Sequence, residues 1–209
     1  MSAQLIWATP NIDTVIGYIA RVSNPENQQN PDVVKLFDYM ERNGHVSPFE
    51  MANVCVEINT TRDIGRQILR HRSFSFQEFS QRYADASLLG DMVPSECRLQ
   101  DTKNRQNSLP ANEHHQHQWD LVQFEVWDKA TAMYGYALQR GVAKEVARKL
   151  LPEGLTPTRM YMNGTMRSWI HYLRSRLDPS TQKEHRDVAA QVLSILREVA
   201  PLTMAAFFP

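Results

Sequence analysis

Several things are missing from this 209-residue chain, and each absence removes a class of function. It has two cysteines, Cys55 and Cys97, far apart and in different contexts. That count supplies neither a disulfide framework nor a zinc site, and a reducing, cytoplasmic setting is the default expectation. It has eight glycines, none forming the G-x-G-x-x-G or G-x-x-x-x-G-K-[ST] loops that cradle dinucleotides and nucleotide phosphates. A flavin is not excluded, because some folds bind one without such loops. No apolar run approaches the roughly 18 residues that span a bilayer, and the first residues, MSAQLIWATPNID, lack the basic and apolar regions of a secretory signal. Net charge is zero, with 23 basic and 23 acidic side chains. A general nucleic-acid coat needs a basic excess, so any anion site must be local.

Apolar periodicity predicts a helix-rich α+β domain with a small antiparallel sheet flanked by helices, a single unit over residues 1–209. Strands are expected over Gln4–Thr9, Met51–Asn59 and Thr158–Met162, with Val54, Val56 and Ile58 sharing one face and Cys55 a small buried hydrophobe. Helices are expected over Ile12–Val22 with Asn11 as N-cap, and over Asp32–Arg42 with Val33, Leu36, Phe37 and Met40 inward and Gly44 past the end. Another starts at Thr60 or Thr61. His115–Arg140 should be the longest helix, with the stripe Trp119, Val122, Val126, Ala130, Met133 and Ala137. Ala143–Leu151, Met166–Arg176 and Thr181–Val199 complete the set. Residues 84–112, with two prolines before Asn112 and the polar run DTKNRQNS, read as a long surface excursion with little regular structure. His114, His115 and His117 have no further ligand nearby and read as a solvated helix start, so no metal site is expected.

The chemistry concentrates in RHRSFSFQEFSQRY, Arg70 to Tyr83, where fixed positive charge sits beside aromatic rings. Arginine forks match phosphates and the edges of planar bases, so the pattern suits a ligand both phosphorylated and flat. Arg148, in AKEVARKLLP, and the turn NGHVSPFE, Asn43 to Glu50, are weaker candidates on pattern alone.

The run Arg70–Arg82 resembles the signature RHRxxSxNxxSxR of flavin-dependent thymidylate synthases. It matches at Arg70, His71, Arg72, Ser75, Ser80 and Arg82 and departs at Gln77, where the family has Asn. ARVSNP, GHVSPFE, KEVARKLLP and MRSWIHYLRSR are similar to family segments in the same order, and DTKNRQNS resembles members from large DNA viruses and phages. The resemblance implies non-covalent FAD and dUMP, with NADPH and 5,10-methylenetetrahydrofolate as co-substrates. It implies FAD contacts from Ser23, His45, Ser47, Glu50, Arg70, His71, Arg72, Gln77 and Glu78. Thr165 and His171 stand where the family commonly has Asn. It implies dUMP contacts from Gln67, Arg70, Glu78, Ser80, Gln81, Arg82, Arg148 and Arg176, with Arg176 activating the pyrimidine. Neither cysteine falls in a matched segment, so addition of a cysteine to the base has no obvious nucleophile. Also implied is a homotetramer with shared active sites, in the host's cytoplasm if viral. A pyrimidine-nucleotide hydroxymethylase is the alternative enzyme. A nucleic-acid-binding module is the alternative from another class.

Overall fold

In the computed structural model, which describes residues 1–209, the α+β expectation is met by a four-stranded antiparallel sheet among helices. Its strands are β1 (Ser2–Ala8), β2 (Asn53–Thr61), β6 (Pro157–Thr165) and β3 (Ser75–Glu78), in the spatial order β1-β2-β6-β3. The strand alternation expected from sequence is realised in β2, where Val54, Val56 and Ile58 are fully buried. They lie opposite Gly164, Met162 and Met160 of β6. Each such enclosed aliphatic side chain contributes about 1.5–3 kcal/mol through removal from water. Cys55 points to the other face but is 8% exposed, and burial raises its thiol pKa.

The core lies between the apolar sheet face and six helices: α1 (Ile12–Ala20), α2 (Val34–Arg42), α3 (Arg62–Ile68), α6 (Met166–Arg176), α7 (Lys183–Val199) and α8 (Pro201–Phe207). In α6, Met166, Trp169, Ile170 and Leu173 recur at helical spacing and are all buried; in α7, Val188, Ala189, Val192 and Leu196 do the same. The last helix was not foreseen from sequence. Pro201 opens it, and Asp13 of α1 accepts from the amides of Leu202 and Thr203 at 2.8 and 3.0 Å. Asn11 does occupy the N-cap position of α1, but in the left-handed region and without a side-chain cap bond. At the end of α2, Gly44 adopts φ +67°, its amide reaches Glu41 O and the amide of His45 reaches Met40 O. This Schellman turn fixes the chain direction at His45 and leads into the 3-10 turn Ser47–Met51.

Two expectations change. The 84–112 excursion carries a short hairpin, β4 (Arg98–Gln100) with β5 (Ser108–Pro110), and is pinned to the long helix α4 (Glu113–Gln139) by side chains. Gln123 accepts from Ser95 N at 2.7 Å, Gln116 from Cys97 N at 2.7 Å, and the indoles of Trp119 and Trp127 donate to Ser95 and Asp91. Consequently Gln116, Gln123, Trp127 and Tyr134 form the face turned toward the excursion. The expected stripe is offset to the side of that face: Trp119 still reaches Ser95, but Trp119, Val122, Val126 and Met133 are 39–49% exposed. The expected helix over Ala143–Leu151 is also broken, into α5 (Lys144–Ala147) and a 3-10 turn, Arg148–Leu150. No helix is long and apolar enough to cross a membrane.

Candidate active site

The residues flagged by sequence fall into three groups, tied together by the Arg70–Arg82 run and α6. Helix α3 (Arg62–Ile68) ends in a turn that carries Arg70, His71 and Arg72; the chain then enters β3, whose Gln77 and Glu78 pair with Tyr161 and Met160 of β6. Phe74 anchors this turn against Trp169, with ring centroids 4.7 Å apart. It can do so because Gly164 on β6 has no side chain: a Cβ there would meet Phe74 Cδ1 at 2.4 Å.

The first group surrounds His71. Arg176, at the end of α6, donates from Nε to His71 Nε2 at 2.8 Å. An acceptor nitrogen requires neutral imidazole with its proton on Nδ1. Burial first, then the positive charges of Arg176, His171 and Arg70, depress the His71 pKa to about 4. Arg176 therefore spends only Nε on protein and leaves its planar Nη fork free. Tyr172 packs edge-on to His71, at 4.9 Å between ring centroids. Its fully buried hydroxyl has no partner, and burial raises its pKa. Arg70, Arg72 and His171 are exposed. Gln67 lies on α3 one turn earlier, donating to Gln182 Oε1 at 2.7 Å and facing His185 at 3.3 Å.

The second group follows β3. Glu78 is not free: Arg66 donates to both carboxylate oxygens, Thr158 Oγ1 donates to Oε1 at 2.8 Å, and Arg62 lies 3.6 Å away. In the next turn, Ser80 Oγ accepts from Arg82 N at 3.3 Å. Gln81 is 3% exposed, and its Nε2 is buried without an acceptor. An enclosed amide N–H without a partner is costly, typically about 1–3 kcal/mol, so this donor is available to a ligand or a water entering the turn. Arg82 donates to Glu145 of α5 at 3.2 Å, which brings the turn to the segment carrying Arg148. No carboxylate or hydrogen-bond acceptor of the protein engages the side chains of Arg70, Arg72, Arg105, Arg140 and Arg148, and Arg140 lies over the Tyr136 ring, whereas Arg62, Arg66, Arg82, Arg98, Arg159, Arg167 and Arg174 are ion-paired.

The third group lies at the start of α6. Thr165 is its N-cap, accepting from Ser168 N at 3.2 Å, and donates to Glu50 at 2.7 Å. That hydroxyl and then Arg167 hold the Glu50 carboxyl below its ordinary pKa despite burial. His45 and Ser47 are exposed beside Glu50 in sequence. Ser168 Oγ donates to Ser73 O at 3.2 Å and joins this group to the first. Ser23 is separate: it lines a depression with Arg21, Asn24 and Lys35, and no bond joins it to the other groups. Of the two cavities of about 600 and 400 Å³ against α4 and the excursion, the larger is lined by Gln182, and neither is lined by any site residue flagged from sequence.

The groups fit a flavin and a nucleotide by their donor chemistry. Unpaired guanidiniums suit phosphate or diphosphate, and the orphaned Gln81 amide adds a buried donor. Residues that sequence reading passed over are the supports: Glu145, Thr158, Tyr172, Gln182 and His185. Only His185 carried a signal, since it recurs with Val188, Ala189, Val192 and Leu196 on the apolar face of α7.

Residues 4–202 match the family described as thymidylate synthase complementing protein. The chain is 49% identical over 193 residues to a flavin-dependent thymidylate synthase of Synechocystis sp., covering 92% of this chain and 87% of that one. It is 46% identical over 198 residues to a probable flavin-dependent thymidylate synthase of Paramecium bursaria Chlorella virus 1, covering 90% of each. A solved structure of the UMP/dUMP methylase PolB from Streptomyces cacaoi bound with 5-Br dUMP superposes with a TM-score of 0.87 at 25% identity, over 99% of this chain and 93% of that one. An RHR turn that leaves its guanidiniums unpaired, in a chain matched almost end to end by such proteins, belongs to the flavin-dependent thymidylate synthase family.

Proposed function

We propose that the protein converts dUMP to dTMP by reductive methylation, with FAD bound at the RHR turn and 5,10-methylenetetrahydrofolate and NADPH as co-substrates. The observation that carries the reading is Arg176, fixed through Nε by a neutral His71 with its Nη fork unengaged. Uracil C5 attacks a one-carbon donor only when electron density moves onto it, and negative charge then grows at N3 and the adjoining oxygens. A planar fork held in advance stabilises that charge, at about 3 kcal/mol for a preorganised donor. Arg82, Ser80, Gln81 and Arg148 take the nucleotide phosphate and sugar side, with Gln67 and Arg70 on the same ligand. Glu78, its carboxylate braced by Arg62, Arg66 and Thr158, positions the strand beside both ligands. Arg70, Arg72, His71, Gln77 and His171, with Glu50, Thr165, His45, Ser47 and Ser23, hold the flavin. When bound, that flavin supplies the hydride equivalents that complete the methyl group. PolB is a UMP/dUMP methylase solved with a bromo-dUMP, which supports a pyrimidine mononucleotide as the ligand class.

A homotetramer with shared active sites is part of the reading. The exposed stripe of α4 supports burial against another copy, and the isolation of Ser23 from the other groups supports sites completed by a neighbouring chain. The test is incubation of the purified protein with FAD, NADPH, methylenetetrahydrofolate and dUMP, with product mass and light scattering. dTMP from a tetramer is expected. A mass matching the hydroxymethyl nucleotide moves the reaction to the hydroxymethylase, and no flavin binding at saturating FAD removes the assignment.

A further inference from the structure

We propose that His185 is a positioning residue that sets the orientation of the Gln67 amide and thereby the affinity for the nucleotide; this rests on the reading of Gln67 as a dUMP contact. His185 is fully buried on α7, between the Tyr172 ring at 5.7 Å and the His71 ring at 6.3 Å. Its Nδ1 lies 3.3 Å from Gln67 Oε1, and its Nε2 is enclosed without a partner. The amide of Gln67 is held at its other end as well, donating from Nε2 to Gln182 Oε1 at 2.7 Å.

Gln67 Oε1 is an acceptor, so the imidazole must donate to it from Nδ1. In the opposite tautomer a lone pair would face the Gln67 oxygen while an N–H stayed buried without an acceptor, two penalties at once. Burial and then the charges of Arg176 and His71 also oppose protonation, placing the pKa at about 3. A neutral ring with its proton on Nδ1 satisfies the contact. Gln182 and His185 then fix both ends of one amide, and Gln67 presents its second N–H as a donor. Without His185 the Gln67 amide can turn over and offer an oxygen instead. The imidazole touches no proposed ligand group itself and acts through Gln67.

Three measurements test this. Nitrogen-15 spectra of histidine-labelled protein should show His185 neutral with its proton on Nδ1 at pH 7; a proton on Nε2 overturns the inference without any mutation. His185→Leu should raise the dUMP Kd about five- to tenfold, the equivalent of one lost hydrogen bond. FAD affinity should change less than twofold. His185→Asn, which can place an amide N–H near the Nδ1 position, should recover most of the loss. Unchanged dUMP affinity in His185→Leu, or equal losses of dUMP affinity, FAD affinity and Tm in both variants, reduces His185 to packing and overturns the proposal. Gln67→Leu should weaken dUMP binding and make His185→Leu add nothing further, whereas additive losses refute the coupling. If Gln67→Leu binds dUMP normally, the nucleotide role of Gln67 fails and the inference with it; failure confined to His185 leaves that role standing.

Discussion

Lowering the pH from 7 to 5 should destabilise this protein through two histidines before its carboxylates respond. His71 and His185 ordinarily titrate near 6.5, but the folded protein holds them at about 4 and about 3. Burial dominates both shifts, with Arg176 adding to each. Between 6.5 and 4 the unfolded chain therefore carries protons that the folded one refuses, and stability falls as pH falls. Their contribution is fully present above 6.5 and is lost progressively below it. Each excess proton is worth about 1.4 kcal/mol per pH unit. Enclosed His185 supplies nearly the whole of that slope, and half-buried His71 a screened fraction, giving roughly 1.5–2.5 kcal/mol between pH 6 and 5. Glu50 and Glu184 have lowered pKa values, so their contributions begin to disappear only near their unfolded values, around 4.3, and the window above 5 belongs to the histidines. Urea unfolding at fixed protein concentration, at half-unit steps from pH 7 to 5, measures the slope. His185→Leu should remove about one proton from it. A flat profile in the native protein, or an unaltered slope in the variant, would refute the reasoning.

Arg82 and Arg176 should separate kinetically. Arg82→Ala removes a proposed nucleotide contact whose ion pair with Glu145 is more than half exposed, so dUMP affinity should fall with little change in Tm. Arg176→Ala should lower single-turnover dTMP formation more than dUMP affinity and spare flavin reduction by NADPH, and Arg176→Lys should rescue incompletely because a point charge lacks the fork. Equal losses in all three measurements would make Arg176 structural. Replacing Cys55 and Cys97 together by Ala should leave dTMP formation within about tenfold of wild type, and a covalent dUMP adduct on either thiol would overturn the mechanism. Gly164→Ala should cost about 1–3 kcal/mol by driving Phe74 off its seat, read by denaturant midpoint, with Phe74→Leu in the same chain restoring part of the loss.

The strands and helices with one wet and one dry face could be read directly from sequence. Val54, Val56 and Ile58 alternate, and Met166, Trp169, Ile170 and Leu173 recur at helical spacing, so composition and geometry agree. The long helix shows where that logic fails. Its period was right, but Gln116, Gln123, Trp127 and Tyr134 turn toward the excursion because they satisfy that segment's backbone and Asp91, and hydrophobicity patterns do not record such bonds. Strand β3 was hidden because four residues, Ser75–Glu78, are too few to show a period within a run dominated by charge and rings. The candidate arginines were legible as residue types in a motif. Their freedom from carboxylates was not, since ion pairs such as Arg66–Glu78 and Arg174–Glu41 join positions remote in sequence.

The place of Ser75–Glu78 at one edge of the sheet, opposite β1, has a consequence for solubility. Such a strand offers unpaired backbone groups to any passing chain, a template for aggregation. Here the exposed positions are Ser75 and Gln77, and exposed Arg72 and Arg82 flank the segment on either side. The arginines proposed to hold the anionic ligands thus also guard this margin of the sheet with charge. A library that relaxed ligand binding by substituting valine or isoleucine at Ser75 and Gln77 would select, unintentionally, for self-association, and insoluble variants would be miscounted as inactive ones.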